Sequence, residues 1–262
     1  MKLLKELLHR NKILYYSGLV FLLLALVLGI YGFFNEVEVL GINSMIKPVK
    51  FGLSTGIYAW TMAYLLYYVN NQRAVKWYSI LATVVMSYEN GVITWQALRG
   101  QLSHFNREDL LSGILYALMG VMIVWLTFAT LVIALRFIFQ KNTTISSTFA
   151  LSIKIGLILF VIFSFFGGYM SSVVNSHSVG GEMTGPGLPI VNWSTKIGDL
   201  RVAHFFGIHS LQLIPFFGYY MSRKDMDPGK AKRWIWIISI LYAAFVCFTA
   251  LQAFKGQPFI GL

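Results

Sequence analysis

The sequence predicts an all-α integral membrane protein: a bundle of seven transmembrane helices with a cytoplasmic N-terminus and an external C-terminus. Three observations predict it. Of 262 residues, 57% are hydrophobic and only 12% charged, whereas a soluble domain carries about 25% charged residues. Seven apolar stretches are each near the length of about 20 residues that a bilayer core requires. The basic residues are also distributed unequally between the two ends of those stretches, as in a protein oriented by the positive-inside rule.

The stretches are Ile13–Phe34, Phe51–Val69, Trp77–Leu98, Leu110–Leu135, Ile155–Val174, Val202–Met221 and Trp234–Phe254. The first has a basic flank but is too long for a signal-peptide core, and no small-residue cleavage site follows it. Residues 1–12 place Leu3, Leu4, Leu7 and Leu8 at helical spacing against Lys2, Lys5 and Arg10, the pattern of a short interfacial helix on the inner leaflet. The chain reads as one transmembrane domain over residues 1–262.

Direction follows from the cations. On one side lie Lys2, Lys5, Arg10, Lys12, Arg73, Lys76, Arg136, Lys141, Arg223, Lys224, Lys230, Lys232 and Arg233; on the other lie Lys47, Lys50, Arg99, Arg107, Lys196, Arg201 and Lys255. Thirteen against seven, with Lys154 just inside the fifth span, assigns the first group to the cytoplasm. The expected location is a multi-pass position in a bacterial cytoplasmic membrane, with the lipid bilayer as the main partner. The net charge of +11 serves this orientation and not nucleic-acid binding, because the cations sit in short loops between apolar runs. A single cysteine, Cys247, excludes an intramolecular disulfide. The long external connection, residues 175–198, includes Gly180-Gly181, Gly185-Pro186-Gly187 and Pro189. A connection of that length is a lid, a binding loop or a disordered surface loop.

Polar residues gather at the outer ends of three spans. An ionisable group inside a membrane is costly and faces the bundle interior. Glu89, Gln96 and Arg99 share a stripe of the third span at 100° per residue. On the sixth, Arg201, His204, His209 and Gln212 fit within an arc of about 140°. On the second, Lys50, Ser54, Tyr58 and Thr61 share a face. Four of the five histidines, His104, His177, His204 and His209, lie in the outer half with the acids Asp199, Glu182 and Glu108. Imidazole is the commonest metal ligand, and its second nitrogen needs an acceptor.

Seven helices with histidines and acids near one face resemble, in architecture alone, the ceramidase and adiponectin-receptor class of zinc membrane hydrolases. The paired histidines of that class lie four apart on the last helix. Here His204 and His209 are five apart on the sixth, so the likeness assigns no family. A retinal protein would need a lysine within the last span, and Trp234–Phe254 has none. Gly-rich phosphate loops, nucleophile elbows and paired-cysteine metal motifs are also missing from the sequence.

Three readings follow, all with an outward-facing polar pocket. The first is a metal-dependent, membrane-embedded enzyme, with a divalent metal such as zinc on His104, His177 and His204, and with Glu89, Asp199 and His209 as catalytic candidates. The second is a transporter or sensor holding a small polar, anionic or lipid-derived ligand at Lys50, Gln96, Arg99, Arg201 and Gln212. The third is a haem b or quinone redox protein with His209 as axial ligand and Gly91 and Gly207 leaving room for the ring. All three expect the second, third and sixth spans to face one cavity, with Glu89 and His209 at its floor and the 175–198 loop over its mouth.

Overall fold

The computed structural model describes residues 2–141, 144–182 and 187–261. Among them are eight α-helices: α1 (Lys2–Arg10), α2 (Lys12–Gly32), α3 (Ile46–Leu65), α4 (Gln72–Leu98), α5 (Leu110–Phe139), α6 (Ser147–Tyr169), α7 (Arg201–Ser222) and α8 (Pro228–Phe254). Two short antiparallel ladders complete the fold, β1 (Glu38–Val39) with β2 (Ile42–Asn43) and β3 (Ser178–Val179) with β4 (Gly198–Asp199). Each of the seven apolar stretches falls on a helix. Side chains begin several of them by satisfying free amide donors: Asn11 accepts from Leu14 N, Asn71 from Ala74 N, Ser146 from Phe149 N and Asp227 from Lys230 N. At α8 the cap is followed by Pro228, whose missing N–H costs nothing in a first turn.

Four helical segments are long and apolar enough to cross a membrane: α2, α5, α6 with the π turn that extends it to Val174, and α8. Their large apolar side chains remain on the outside, as Val20, Leu23 and Leu26 do on α2, Val121 and Trp125 on α5, and Ile240, Leu241 and Phe248 on α8. Apolar exposure this continuous needs a lipid solvent. The chain is a helical membrane protein. The remaining long helices, α3, α4 and α7, at 20, 27 and 22 residues, span about 30 to 40 Å but are less apolar. They are the helices that carry the polar stripes.

The described residues divide into two compact units, each built around its own helix pairs. The first, residues 2–67 and 71–126, holds α1 to α4 and the first half of α5. Its α2 and α3 interlock through glycine: a methyl group on Gly18 would stand 2.3 Å from the Trp60 ring, and one on Gly56 would stand 2.7 Å from Leu22. Arg10 fastens α1 to the end of α3 by lying over the Tyr64 ring at 3.9 Å and donating to the Tyr64 carbonyl at 3.0 Å. The second unit holds residues 68–70, the rest of α5 and the chain beyond it. There α6 and α7 approach closely, with Phe163 filling the notch at Gly207 and Ser152 filling the notch at Gly218.

Of the 175–198 loop, residues 183–186, Gly185 and Pro186 among them, lie outside the described residues. Its described part belongs to the second unit and is bound to α7 and α8. Trp193, 8% exposed, packs against Phe205, Phe206 and Phe259 at 5.4, 5.9 and 5.9 Å. Gly198 lies directly on the end of α8, where an added methyl group would meet the Ala253 carbonyl oxygen at 2.0 Å. A backbone atom cannot yield as a side chain can. Gly198→Ala is therefore expected to abolish or severely impair folding of the second unit, while Gly91→Ala, with nothing within 4 Å of the new methyl, should raise stability by about 1 kcal/mol through helix propensity. Thermal unfolding of both variants in detergent checks the contrast.

Candidate functional site

Within the first unit the polar residues lie on α3, α4 and the connection to α5. Glu89 is 5% exposed and belongs to the buried face of α4. Among the described residues its carboxylate has no hydrogen bond, and the charge acting on it is that of Lys47. A negative charge held in hydrocarbon needs a cation or a proton to offset it. Lys47 also donates to His104 Nδ1 at 3.2 Å, and the Ser103 hydroxyl stands 3.1 Å from the same nitrogen. An ammonium can only donate, so His104 Nδ1 accepts and its ring proton lies on Nε2. The His104 ring rests between Phe51 and Tyr116, at 5.7 and 5.9 Å.

Gln96 and Arg99 end α4. Gln96, 1% exposed, donates to Ser112 Oγ at 2.9 Å and receives Arg99 Nη1 at 3.4 Å. Arg99 lies over the Trp95 ring at 4.4 Å. Ser112 in turn donates from its backbone and its hydroxyl to Asp109, at 2.9 and 2.7 Å. Those two bonds, with the charge of Arg99 adding a smaller share, hold the Asp109 carboxyl below the usual carboxylate range. This capping acid was missed in the sequence. An acidic residue three positions before a serine at a helix start was the signal that could have found it. Lys50 stands half-buried on α3, in the same unit.

The second unit gathers the other candidates around the start of α7. Asp199 is 1% exposed, and every donor around it converges on its carboxylate. Arg201 reaches it with Nε at 2.9 Å and Nη2 at 2.6 Å, the Arg201 amide at 3.0 Å and the Ser194 amide at 3.0 Å. His177 Nδ1 stands 3.9 Å away. Burial pushes the Asp199 carboxyl up, but the Arg201 hydrogen bonds and charge, the Ser194 amide and His177 outweigh it and leave it below its ordinary range. Arg201 also donates to the Asn192 carbonyl at 2.5 Å. Asp199 and Arg201 thus fasten the 175–198 loop to the α7 N-terminus, and the carboxylate oxygens are already engaged.

His204 and His209 share one arrangement. His204 Nδ1 lies 2.8 Å from the Phe163 carbonyl oxygen, and His209 Nδ1 lies 2.7 Å from that of Phe205. A carbonyl only accepts, so in the neutral rings each Nδ1 carries the proton and each Nε2 offers a lone pair. The His204 ring lies on Gly167, where a methyl group would be 2.6 Å from its Cε1. Gln212 is half-buried one turn further along α7.

The structure therefore brings together Glu89, Lys47 and His104 in one unit, Gln96 with Arg99 in the same unit, and Asp199 with Arg201 and His177 in the other. His104 falls in a different unit from His177 and His204, and among the described residues no three His, Cys, Asp or Glu side chains group as a metal-ligand set. Glu89 and His209 are likewise divided between the units. Beside Gly207, where the redox reading expected room for a ring, Phe163 fills the space.

No protein family matches the chain, and comparison with curated proteins and with solved structures gives no match either.

The Asp199 pair has a pH signature. A carboxyl held below its unfolded value of about 3.9 contributes stability that is present above that value and is lost as pH falls through the native one. Asp199→Asn leaves the Arg201 guanidinium without its counter-charge and should cost about 3 kcal/mol at neutral pH. The gap between variant and wild type should close progressively below pH about 4. Detergent unfolding followed from pH 7 to pH 3 measures both the gap and its closure.

Proposed function

We propose that the chain is a polytopic membrane protein of seven spans, N-terminus inside and C-terminus outside, that couples a proton on Glu89 to a small polar or anionic ligand entering from outside. It acts as a transporter or, if the ligand is not carried across, as a sensor. One observation carries this reading: a carboxylate buried to 5% exposure without a hydrogen bond, with Lys47 as the cation whose charge reaches it. The seven spans rest on α3, α4 and α7 being long enough, at 20, 27 and 22 residues, to cross a bilayer core, and the direction rests on the count of basic residues.

The coupling follows from competition for one cation. While Glu89 is ionised it holds the field of Lys47. An anion arriving at Lys47 and Lys50 takes up that field, and the uncompensated carboxylate then favours a proton. Ligand and proton bind cooperatively, and the reciprocal effect is required by linkage. Arg99, exposed at the end of α4, adds positive charge to the same region and attracts anions toward it.

A metal-dependent membrane enzyme is the second reading, and the histidine tautomers favour it. His204 and His209 each direct an unprotonated Nε2 away from a carbonyl-held Nδ1, which is the form that ligates a metal. Metal analysis of protein purified without chelators tests this: stoichiometric zinc lost in His204→Ala supports it, and metal-free protein overturns it.

Two experiments test the main reading. Reporter fusions at the two termini should place residue 1 inside and residue 262 outside; matching sides would remove the seven-span topology. In proteoliposomes, addition of small carboxylate or phosphate anions outside should produce inward proton movement, read by an internal pH dye. Glu89→Gln should reduce that movement at least tenfold. Undiminished movement in Glu89→Gln, or none in the wild type with any anion together with no anion binding, overturns the coupling.

A further inference from the structure

Lys47 and Phe51 stand one turn apart on α3 and meet the same partner in the connection between α4 and α5. Lys47 Nζ donates to His104 Nδ1 at 3.2 Å, and the Phe51 ring lies 5.7 Å from the imidazole. Tyr116 of α5 stands at 5.9 Å from the imidazole and also meets the ring of Phe105 at 5.5 Å. Two successive side chains reach one ring because the backbone of Phe105 is left-handed, with φ 59°, which a bulky residue rarely adopts. Asn106, 2% exposed, holds the chain beyond it. Its amide donates to the Leu102 carbonyl at 2.9 Å, and its Oδ1 accepts from the Glu108 amide at 3.1 Å. Backbone strain persists only where surrounding contacts enforce it, and it gathers at functional sites. What this strained segment fixes is an imidazole beside an ammonium.

An ammonium has three protons and no lone pair, so His104 accepts from Lys47 only while Nδ1 is unprotonated. Ser103, 4% exposed, places its hydroxyl 3.1 Å from the same nitrogen, and a hydroxyl can donate or accept. The cluster therefore has two arrangements. With a neutral ring, Lys47 donates to Nδ1. With a protonated ring, Nδ1–H donates to Ser103 Oγ, and Lys47 faces a positive charge where it had an acceptor. Two cations that close repel each other, and an oxyanion accepting from Lys47 offsets both charges. The other charged or titratable groups of this region are Tyr116 on α5, half-buried Lys50 on α3, Glu89 on α4, which feels the charge of Lys47, and Arg99, which lies over Trp95. In the connection itself Arg107 and Glu108 are exposed, and Asp109 is held by Ser112. Among the described residues His104 belongs to no metal-ligand set.

We propose that Lys47 and His104 form a proton-linked oxyanion site, in which a carboxylate or phosphate group replaces His104 Nδ1 as the acceptor for Lys47 while Nδ1 takes a proton from solvent. The site rests on the reading that a small anion enters at Lys47, and it adds a second proton carrier to Glu89. Anion and proton bind cooperatively there. Affinity rises as pH falls through the range in which imidazole titrates, and by linkage the bound anion draws a proton from water. Phe51 and Tyr116 flank the imidazole in both arrangements, so the exchange needs only the rotation of a hydroxyl and the movement of one lysine end.

The test is binding of acetate and of sulfate, oxyanions that stay charged near neutrality, to the full-length protein in maltoside detergent. Affinity for at least one of them should be about tenfold higher at pH about 6 than at pH about 8, with proton uptake read by an indicator dye. His104→Gln keeps an acceptor for Lys47 but does not titrate, and it should lose its share of that uptake. Uptake lost only in Glu89→Gln overturns the site and leaves coupling at Glu89 standing. Uptake lost only in His104→Gln supports the site and overturns the coupling at Glu89. No binding of either anion by the wild type overturns both, and uptake that appears only on adding anionic lipid overturns a site for soluble anions. A second measurement needs no variant: the nitrogen-15 signals of the labelled histidine that lies against Phe51 and Tyr116. At pH about 8 they should show Nδ1 bare and Nε2 protonated, and saturating anion at pH about 6 should protonate both. A ring that stays neutral while the anion binds, or that carries its proton on Nδ1 before it binds, overturns the site.

Discussion

Hydrocarbon offers no hydrogen-bond partner, so every polar group on these helices must find one within the protein or be supplied with one. The interior of each unit is arranged by that constraint. Hydroxyls on α3, α4 and α6 return to the carbonyl of the preceding turn, as Thr55, Ser79 and Ser164 do. Side chains that cannot close on their own helix reach across to another: Asn11 to Ser79, Trp60 to the Tyr15 carbonyl, Tyr242 to the Phe206 carbonyl. Even Lys154, on the apolar helix α6, ends on the Ile138 carbonyl at 3.0 Å. Against such satisfaction, the Glu89 carboxylate stands without a hydrogen bond among the described residues, and Asn90 Oδ1, Thr94 Oγ1, Gln101 Oε1, Gln212 Oε1 and Ser239 Oγ are buried without one.

At the start of α7 the same constraint has a different solution. Asp199 is more deeply buried than Glu89, yet it is saturated with donors, and so it is part of the framework. Two buried carboxylates are thus held differently: one closes a loop onto a helix, and the other has no hydrogen bond among the described residues. The difference lies in the neighbours. Arg201 is two residues from Asp199 and shares its turn, whereas the cation acting on Glu89 comes from another helix.

Much of the architecture was legible before any coordinates. The apolar stretches fall on helices because about 20 predominantly apolar residues have no other stable form in lipid. Glu89 was legible as buried because an ionisable group on an apolar helix cannot face lipid. Asp199 was not legible as a loop fastener, because the Ser194 amide reaches it across an irregular turn and His177 is brought near it by a ladder two residues long, neither of which leaves a periodic trace. The pairing of helices within each unit was equally hidden, since glycines such as Gly56 and Gly156 do not announce which side chain will fill them.

The glycine notches between α6 and α7 bear on how the second unit can move. Phe163 enters at Gly207, Ser152 at Gly218, and Pro215 meets Gly156 with a would-be methyl only 2.9 Å from its ring. These fits alternate in direction, two knobs pointing from α6 to α7 and one pointing back. A key cut on both edges cannot slide in its lock. Displacing α7 by one turn would drive Phe163 and Ser152 out of their notches against ordinary helix surface, and nothing nearby could receive them. The two helices therefore form a single lever, and any rocking that reaches His204 carries α6 with it.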